Sequence, residues 1–434
     1  MNYEMLQYYK SHCMTVDEAM KLVKSGDLIV DGHGHGRSEI FGPALVRRAG
    51  ELKDVKLTTG YNVGTAPYCE PQYVDSFKHI SIFNVAQTRK AHWEGRAEFV
   101  PAHFSQLERT FASWNPQILF TQVTPPNEEG YVSMGVSVDF TRAMLDICPL
   151  VIAQVNPNMP WTNGDSVIPV TKIHAFVCEE SEIPEIPEAI TVSETDKAIA
   201  GHIAGLVNDG DTLQIGVGSV PDTVLSMLTN HQHLGIHTEL GSTGIMKLMQ
   251  KGVIDNSRKT LDVGKVVCTL MGGTRAFYDF VDHNEDFVMR KSSYVLNPAT
   301  ICQQKNMVAM NSAIEIDLFG QVCSEMIGGK QFSGVGGQVD FLRGAMMAEG
   351  GKSIICLPST AAKGTKSRIV AQLSPGNAVT ASRCDVMYVV TEYGVAELWG
   401  KSNTERAKQL IKIAHPDFRE ELERSFWNQL HGER

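Results

Sequence analysis

The chain has 434 residues, more than one hydrophobic core ordinarily holds, so two domains are expected and a small stapled scaffold is excluded. With 43% hydrophobic and 20% charged residues the composition is that of a globular protein and excludes disorder or a fibre. The formal charge is -10 and no Lys/Arg run could neutralise a phosphate backbone, which argues against nucleic acid as a partner.

The N-terminus, MNYEMLQYYKSHC, lacks the basic-then-apolar order of a signal peptide, and no apolar stretch approaches the roughly 20 residues that span a bilayer. A cytoplasmic protein with no membrane partner is expected. The nine cysteines are scattered, odd in number and never spaced as CxxC, so they read as reduced thiols, mostly small core residues, rather than disulfides or metal ligands.

In chain order, Gly26-Asp27 leads into the apolar run Leu28-Ile29-Val30, then a glycine-rich turn, Asp31-Gly32-His33-Gly34-His35-Gly36, then Arg37 and a helix. The segment Glu179 to Glu188 is acidic and carries two prolines, which suits an extended connection. It divides the chain into 1–185 and 186–434. Beyond it the same phrase returns: Gly210-Asp211, the strand Thr212 to Ile215, the turn Gly216-Val217-Gly218, then a helix for which Pro221 is expected as the first residue.

Further buried strands are expected at Ser353 to Cys356 and Val386 to Val390. The pattern predicts two related open α/β domains with largely parallel sheets. Both glycine turns follow strands, where open α/β sheets place ligands, so the active site is expected in the cleft between the halves.

Four segments carry candidate chemistry. Gly216, Val217, Gly218, Ser219 and Val220 would let the backbone approach an anion, although the same glycines also suit a tight turn without a ligand and lack the third glycine of a dinucleotide fingerprint. The strand leading through His237-Thr238 ends in Glu239, followed by Gly241 and Gly244; a lone strand-end carboxylate can equally be a cap or an ion-pair partner. In Gly334-Val335-Gly336-Gly337, glycine N–H groups ahead of a helix are suitable oxyanion donors. The hydroxyls and cations of Leu357 to Arg368, Lys366 among them, suit a phosphorylated ligand, or a solvated loop. His33, His35 and His237 lack a local ligand spacing, so no metal site is expected.

These phrases, in this order, resemble the acetyl-CoA hydrolase/transferase family, and within it the 4-hydroxybutyrate and butyrate:acetate CoA-transferases. TLQIGVGSVPD, LGIHTEL, KQFSGVGGQVDFLRGA, GGKSIICLPSTAAKGT, VVTEYGVAEL and IAHPDFREEL carry the resemblance, with weaker support from Gln122 to Pro126 and Gly135 to Asp139. The resemblance implies that Glu239 of the HxE phrase forms an enzyme thioester with coenzyme A. It also implies CoA contacts from the turn Gly216 to Val220 and from Ile314, Gly337 and Lys366, a CoA thioester as substrate with no tightly bound cofactor, and a homo-oligomer.

The implied reaction moves CoA from acetyl-, butyryl- or succinyl-CoA to a short-chain carboxylate with ping-pong kinetics. A glutamate titrates ordinarily near about 4.3, so it would attack a thioester without a general base. Gly336 and Gly337, with Gln214 and Asn311, are the expected oxyanion donors. His33, His35 and Arg37 are unusual for the butyrate-type members, and a cationic cluster would favour a second carboxylate, as in succinate or itaconate. Acyl-CoA hydrolysis and a CoA-binding regulatory role are the alternatives.

Overall fold

The computed structural model describes residues 3–188, 191–216 and 218–431, which form two compact units. One comprises Met1–Glu188, Glu239–Thr243 and Val266–Val295; the other comprises Ala189–Thr238, Gly244–Lys265 and Leu296–Arg434.

The first unit is built on eight strands: β1 (Cys13–Met14), β2 (Leu28–Val30), β3 (Val55–Thr59), β4 (Phe77–Ser81), β5 (Ala97–Phe99), β6 (Ile118–Val123), β7 (Leu150–Val155) and β8 (Ala175–Cys178). They lie in the order β1-β8-β7-β6-β2-β3-β4-β5 and every pairing is parallel. Helices cover a parallel sheet on both faces, so its central strands read as continuous apolar runs rather than alternating ones. That is why ILFTQV of β6 is buried at every position and LVIAQV of β7 at all but its first. Ile29, Phe41, Leu57, Phe77, Phe120 and Ile152 form the core on one side.

The second unit holds six strands, β9 (Thr212–Ile215), β10 (Gly235–Ile236), β11 (Met307–Ser312), β12 (Lys352–Cys356), β13 (Tyr388–Thr391) and β14 (Gly394–Glu397), in the order β10-β9-β11-β12-β13-β14. All pairs are parallel except the terminal β13–β14 hairpin. Ile316, Leu342, Ile355, Val389, Leu410 and Phe426 share its core. The expected strands at Leu28, Thr212, Ser353 and Val386 are thus present, the last beginning at Tyr388.

The division of the chain differs from a single break after residue 185. The segments Glu239–Thr243 and Val266–Val295 return to the first unit because they extend its hydrogen bonding. The short strands Leu240–Gly241 and Leu270–Met271 pair in parallel, Ser137 bridges Leu270, and Phe287–Met289 pairs with Asn163–Gly164. The acidic segment 179–188 carries neither helix nor strand, and is tied down on the first unit by bonds such as Ile186 N–H to Gly273 O (2.9 Å).

Among the described residues no helix is long and apolar enough to cross a membrane. None of the nine cysteines, all among the described residues, forms a disulfide, and Cys69, Cys148, Cys268, Cys323 and Cys356 are buried.

Candidate active site

Glu239 stands where the chain passes from the second unit to the first. On the second unit's side, the Thr238 hydroxyl donates to Ile215 O (3.0 Å) and accepts from Ile215 N–H (3.3 Å), fixing the end of that segment beside the last residue of β9. On the first unit's side, the Glu239 carbonyl accepts from Thr269 N–H (3.1 Å) and Leu270 N–H (2.9 Å). The Glu239 backbone is therefore held within the first unit while its side chain is half-buried.

The neighbouring strand segments continue the first unit's side. Thr269 O accepts from Val138 N–H (3.1 Å), and Met271 N–H donates to Val136 O (2.9 Å). This brings in Asp139, a fully buried carboxylate bonded by the Ser137 hydroxyl (2.6 Å), the Thr141 hydroxyl (2.8 Å) and the Thr141 N–H (3.1 Å). His33 Nδ1 lies 3.3 Å from Asp139 Oδ2, an ion-pair distance without the alignment of a directed hydrogen bond. Burial alone would raise Asp139; His33 and the two hydroxyls outweigh it and hold the carboxyl below its ordinary range.

The turn after β2 is shaped by close approach. A Cβ on Gly36 would fall 2.4 Å from Ser137 Cβ, one on Gly60 would fall 2.6 Å from His33 Nε2, and one on Gly272 would fall 2.7 Å from His35 Cε1. His35 is 4% exposed and makes no hydrogen bond among the described residues. Burial, reinforced by His33, pushes its imidazole down to about 4, so at neutral pH it is an uncharged ring.

Arg37 is held by acids of its own unit. It is 1% exposed, its Nε donates to Asp31 (2.6 Å) and its terminal nitrogen to Glu39 (2.6 Å) and Thr65 O (3.1 Å). Two carboxylates of its own unit pair with this buried cation. A guanidinium buried beside two acids in sequence, Asp31 and Glu39, is the signal that could have shown this.

In the second unit the remaining candidates gather at the carboxyl ends of parallel strands. The helix α2 (Ser219–Met227) follows β9, with Gly218 as its N-cap at φ 128°. It begins two residues before the expected Pro221, which occupies a first-turn position whose absent N–H has no intrahelical partner to lose. Val217 lies outside the described residues. Gly216 and Val220 are half-exposed and Ser219 is exposed, its hydroxyl donating to Asp196 (2.5 Å).

Gln214 on β9 and Asn311 on β11 are brought together: Asn311 Nδ2 donates to Gln214 Oε1 at 3.0 Å. Ile314 follows β11, its N–H bonded to Cys323 O (2.9 Å). Gly336 sits at φ 59° and Gly337 caps the helix α3 (Gln338–Met347), whose Gln338 side chain donates to Ser312 O (2.7 Å) at the end of β11. The loop after β12 turns through Ala362 and Lys363 at positive φ and returns at Lys366, which is exposed. Among the described residues no group of three His, Cys, Asp or Glu side chains could hold a metal ion.

Two residues without an assigned role in the sequence reading carry structure here. Asp139 lies in a phrase that resembles the family, yet nothing local reveals its pairing with a histidine more than 100 positions away. Glu392, at the end of β13, accepts from the Ser359 N–H (2.8 Å) and hydroxyl (2.6 Å) and so holds the start of the Lys366 loop.

Two α/β units with parallel sheets and glycine turns after their strands define an open α/β fold that is shared with CoA-transferases of known structure. Residues 1–190 match the acetyl-CoA hydrolase/transferase N-terminal domain and residues 273–426 the acetyl-CoA hydrolase/transferase C-terminal domain. The chain is 42% identical over 422 residues to the 4-hydroxybutyrate coenzyme A transferase of Clostridium kluyveri, covering 97% of this chain and 98% of that one. It is 40% identical to the succinyl-CoA:cyclohexane-1-carboxylate CoA transferase of Geobacter metallireducens, covering 96% and 95%. The crystal structure of RipA from Yersinia pestis matches with a TM-score of 0.94 at 34% identity, covering 98% of this chain and 99% of that one. The chain belongs to the acetyl-CoA hydrolase/transferase family.

Proposed function

We propose that this enzyme transfers coenzyme A from an acyl-CoA to a short-chain carboxylic acid, with Glu239 as the nucleophile. The Glu239 carboxylate adds to the thioester carbonyl and expels CoA thiolate, leaving an acyl-glutamyl anhydride. The thiolate then attacks the glutamyl carbonyl, releases the first carboxylate and forms a glutamyl-CoA thioester. A second carboxylate reverses both steps, so the thioester bond energy is retained and the kinetics are ping-pong.

The observation that carries this reading is the anchoring of Glu239. Its carbonyl is held by two N–H groups, and the preceding residue is locked to Ile215, immediately before the Gly216 turn. A carboxylate on so fixed a backbone keeps its approach to an electrophile reproducible. CoA is bound as substrate by Gly216 to Val220, Ile314, Gly337 and Lys366, and the Gly336 and Gly337 amides with the Gln214–Asn311 pair stabilise the oxyanions.

The acceptor acid carries a neutral ω-substituent, as in 4-hydroxybutyrate. Arg37 is already neutralised, and His35, pushed down to about 4, offers a hydrogen bond but no charge to a second carboxylate. The name of the Geobacter relative keeps succinyl-CoA among the donors to assay.

The test is incubation with acetyl-, butyryl- and succinyl-CoA and a panel of carboxylates, with new acyl-CoA and free CoA recorded together by mass spectrometry. New acyl-CoA without matching free CoA, lost in Glu239→Ala, is expected. Borohydride, which reduces a glutamyl thioester to the alcohol, should mark the Glu239 peptide. Free CoA alone, whatever the acceptor, would replace transfer by hydrolysis.

A further inference from the structure

The first unit carries a pair of thiols that the linear sequence hides, 165 positions apart, on strands that bear none of the residues given a role in CoA transfer. Cys13 on β1 and Cys178 at the end of β8 lie on the edge strand and its neighbour, both are exposed, and their sulfurs are 3.6 Å apart. The register places Cys13 opposite Phe176, so Cys178, two residues on, points to the same face. Two oxygens of Tyr9, at the C-terminal part of the helix α1 (Tyr3–Ser11), complete the surroundings: the hydroxyl is 3.1 Å from Cys178 Sγ and the carbonyl 3.2 Å from Cys13 Sγ.

Two fates compete for such a pair, and geometry separates them. Adjacent strands lie ~4.8 Å apart and rise ~3.3 Å per residue, so a two-residue offset puts the Cα atoms about 8 Å apart. That exceeds the ~7 Å that a disulfide spans without backbone movement. A tetrahedral ion with metal–sulfur bonds of ~2.3 Å needs its two sulfurs only about 3.8 Å apart. The observed 3.6 Å already meets that bite.

We propose that Cys13 and Cys178 form a two-thiolate site for a soft divalent d10 cation such as Zn2+ at the edge of the first sheet, with the Tyr9 carbonyl and solvent water completing the shell. Binding is a substitution without oxidation: both thiols lose their protons to solvent and each sulfur gives an electron pair to the ion. The site ties α1 and β1 to the sheet.

The full-length protein, reduced and stripped with chelator, is titrated with Co2+ as a spectroscopic stand-in and with Zn2+ against a chromophoric indicator. The expected result is a near-ultraviolet thiolate-to-cobalt charge-transfer band in the unaltered protein, displaced by Zn2+, and loss of one bound equivalent in Cys13→Ser and in Cys178→Ser. Both variants should keep CoA-transfer activity and circular dichroism, which separates failure of this site from failure of the catalytic reading. Equal metal binding by the Cys13→Ser/Cys178→Ser double variant would overturn the proposal. So would a Cys13–Cys178 disulfide on exposure to a low-molecular-weight disulfide with no thiolate-to-metal band in the reduced protein.

Discussion

At the scale of single residues, the turn after β2 shows how one sequence phrase divides into different jobs. His33 faces a buried carboxylate, Arg37 is enclosed by two, and His35 alone keeps an unpaired ring. Removing each should therefore fail differently. Arg37→Leu leaves Asp31 buried without its cation and should cost roughly 3–5 kcal/mol of stability, read from urea unfolding. His35→Leu removes no internal hydrogen bond; we expect near-native unfolding and a KM for the carboxylate acceptor raised roughly tenfold, the worth of one hydrogen bond. A well-folded Arg37→Leu enzyme with a selectively raised KM for dicarboxylates would instead restore the cationic-cluster reading. The sequence displayed all three side chains, but not the pairing of His33, because Asp139 lies in a turn more than 100 positions downstream.

At the scale of elements, the glycines were legible and their targets were not. Gly336 and Gly337 stood out as a helix-leading pair, and the structure gives Gly336 a φ of 59°, a conformation open mainly to glycine. A Cβ there costs on the order of 1 kcal/mol and turns the preceding peptide, so the α3 N–H groups lose their aim. Gly336→Ala is expected to lower kcat by about 10- to 100-fold with a melting temperature within a few degrees of the parent. An unchanged kcat would take the oxyanion role away from this turn. Leu28–Val30 was readable as an uninterrupted apolar run, and Thr212–Ile215, interrupted by Gln214, as the return of the same Gly-Asp, strand and glycine-turn phrase. The return of Glu239–Thr243 and Val266–Val295 to the first unit was not, because a two-residue strand such as Leu240–Gly241 leaves no periodicity to read.

At the scale of the whole molecule, the buried imidazoles make folding sensitive to acid. Burial, with Arg37 nearby, pushes His79 down to about 3, and neither of its ring nitrogens has a hydrogen-bond partner; His35 is pushed down to about 4. Between the ordinary histidine value of 6.5 and these lowered ones, the unfolded chain binds protons that the folded chain refuses. The unfolded state is then favoured as pH falls, and the stability present above 6.5 drains away toward pH 4 and below. Each histidine contributes a slope of about 1.4 kcal/mol per pH unit while its folded form stays neutral, for a loss on the order of 3 kcal/mol or more apiece. Asp139 acts in the same direction only once pH falls through the ordinary aspartate range, where the unfolded chain takes up a proton that the lowered folded carboxyl still refuses. His79→Leu removes one proton from the balance without emptying the core position beside Tyr68. Urea unfolding from pH 7 to pH 4 should therefore show a slope smaller by about 1.4 kcal/mol per unit in that variant. An unchanged slope would mean that His79 binds its proton equally well in the folded protein, and that water or a rearranged Arg37 relieves its burial.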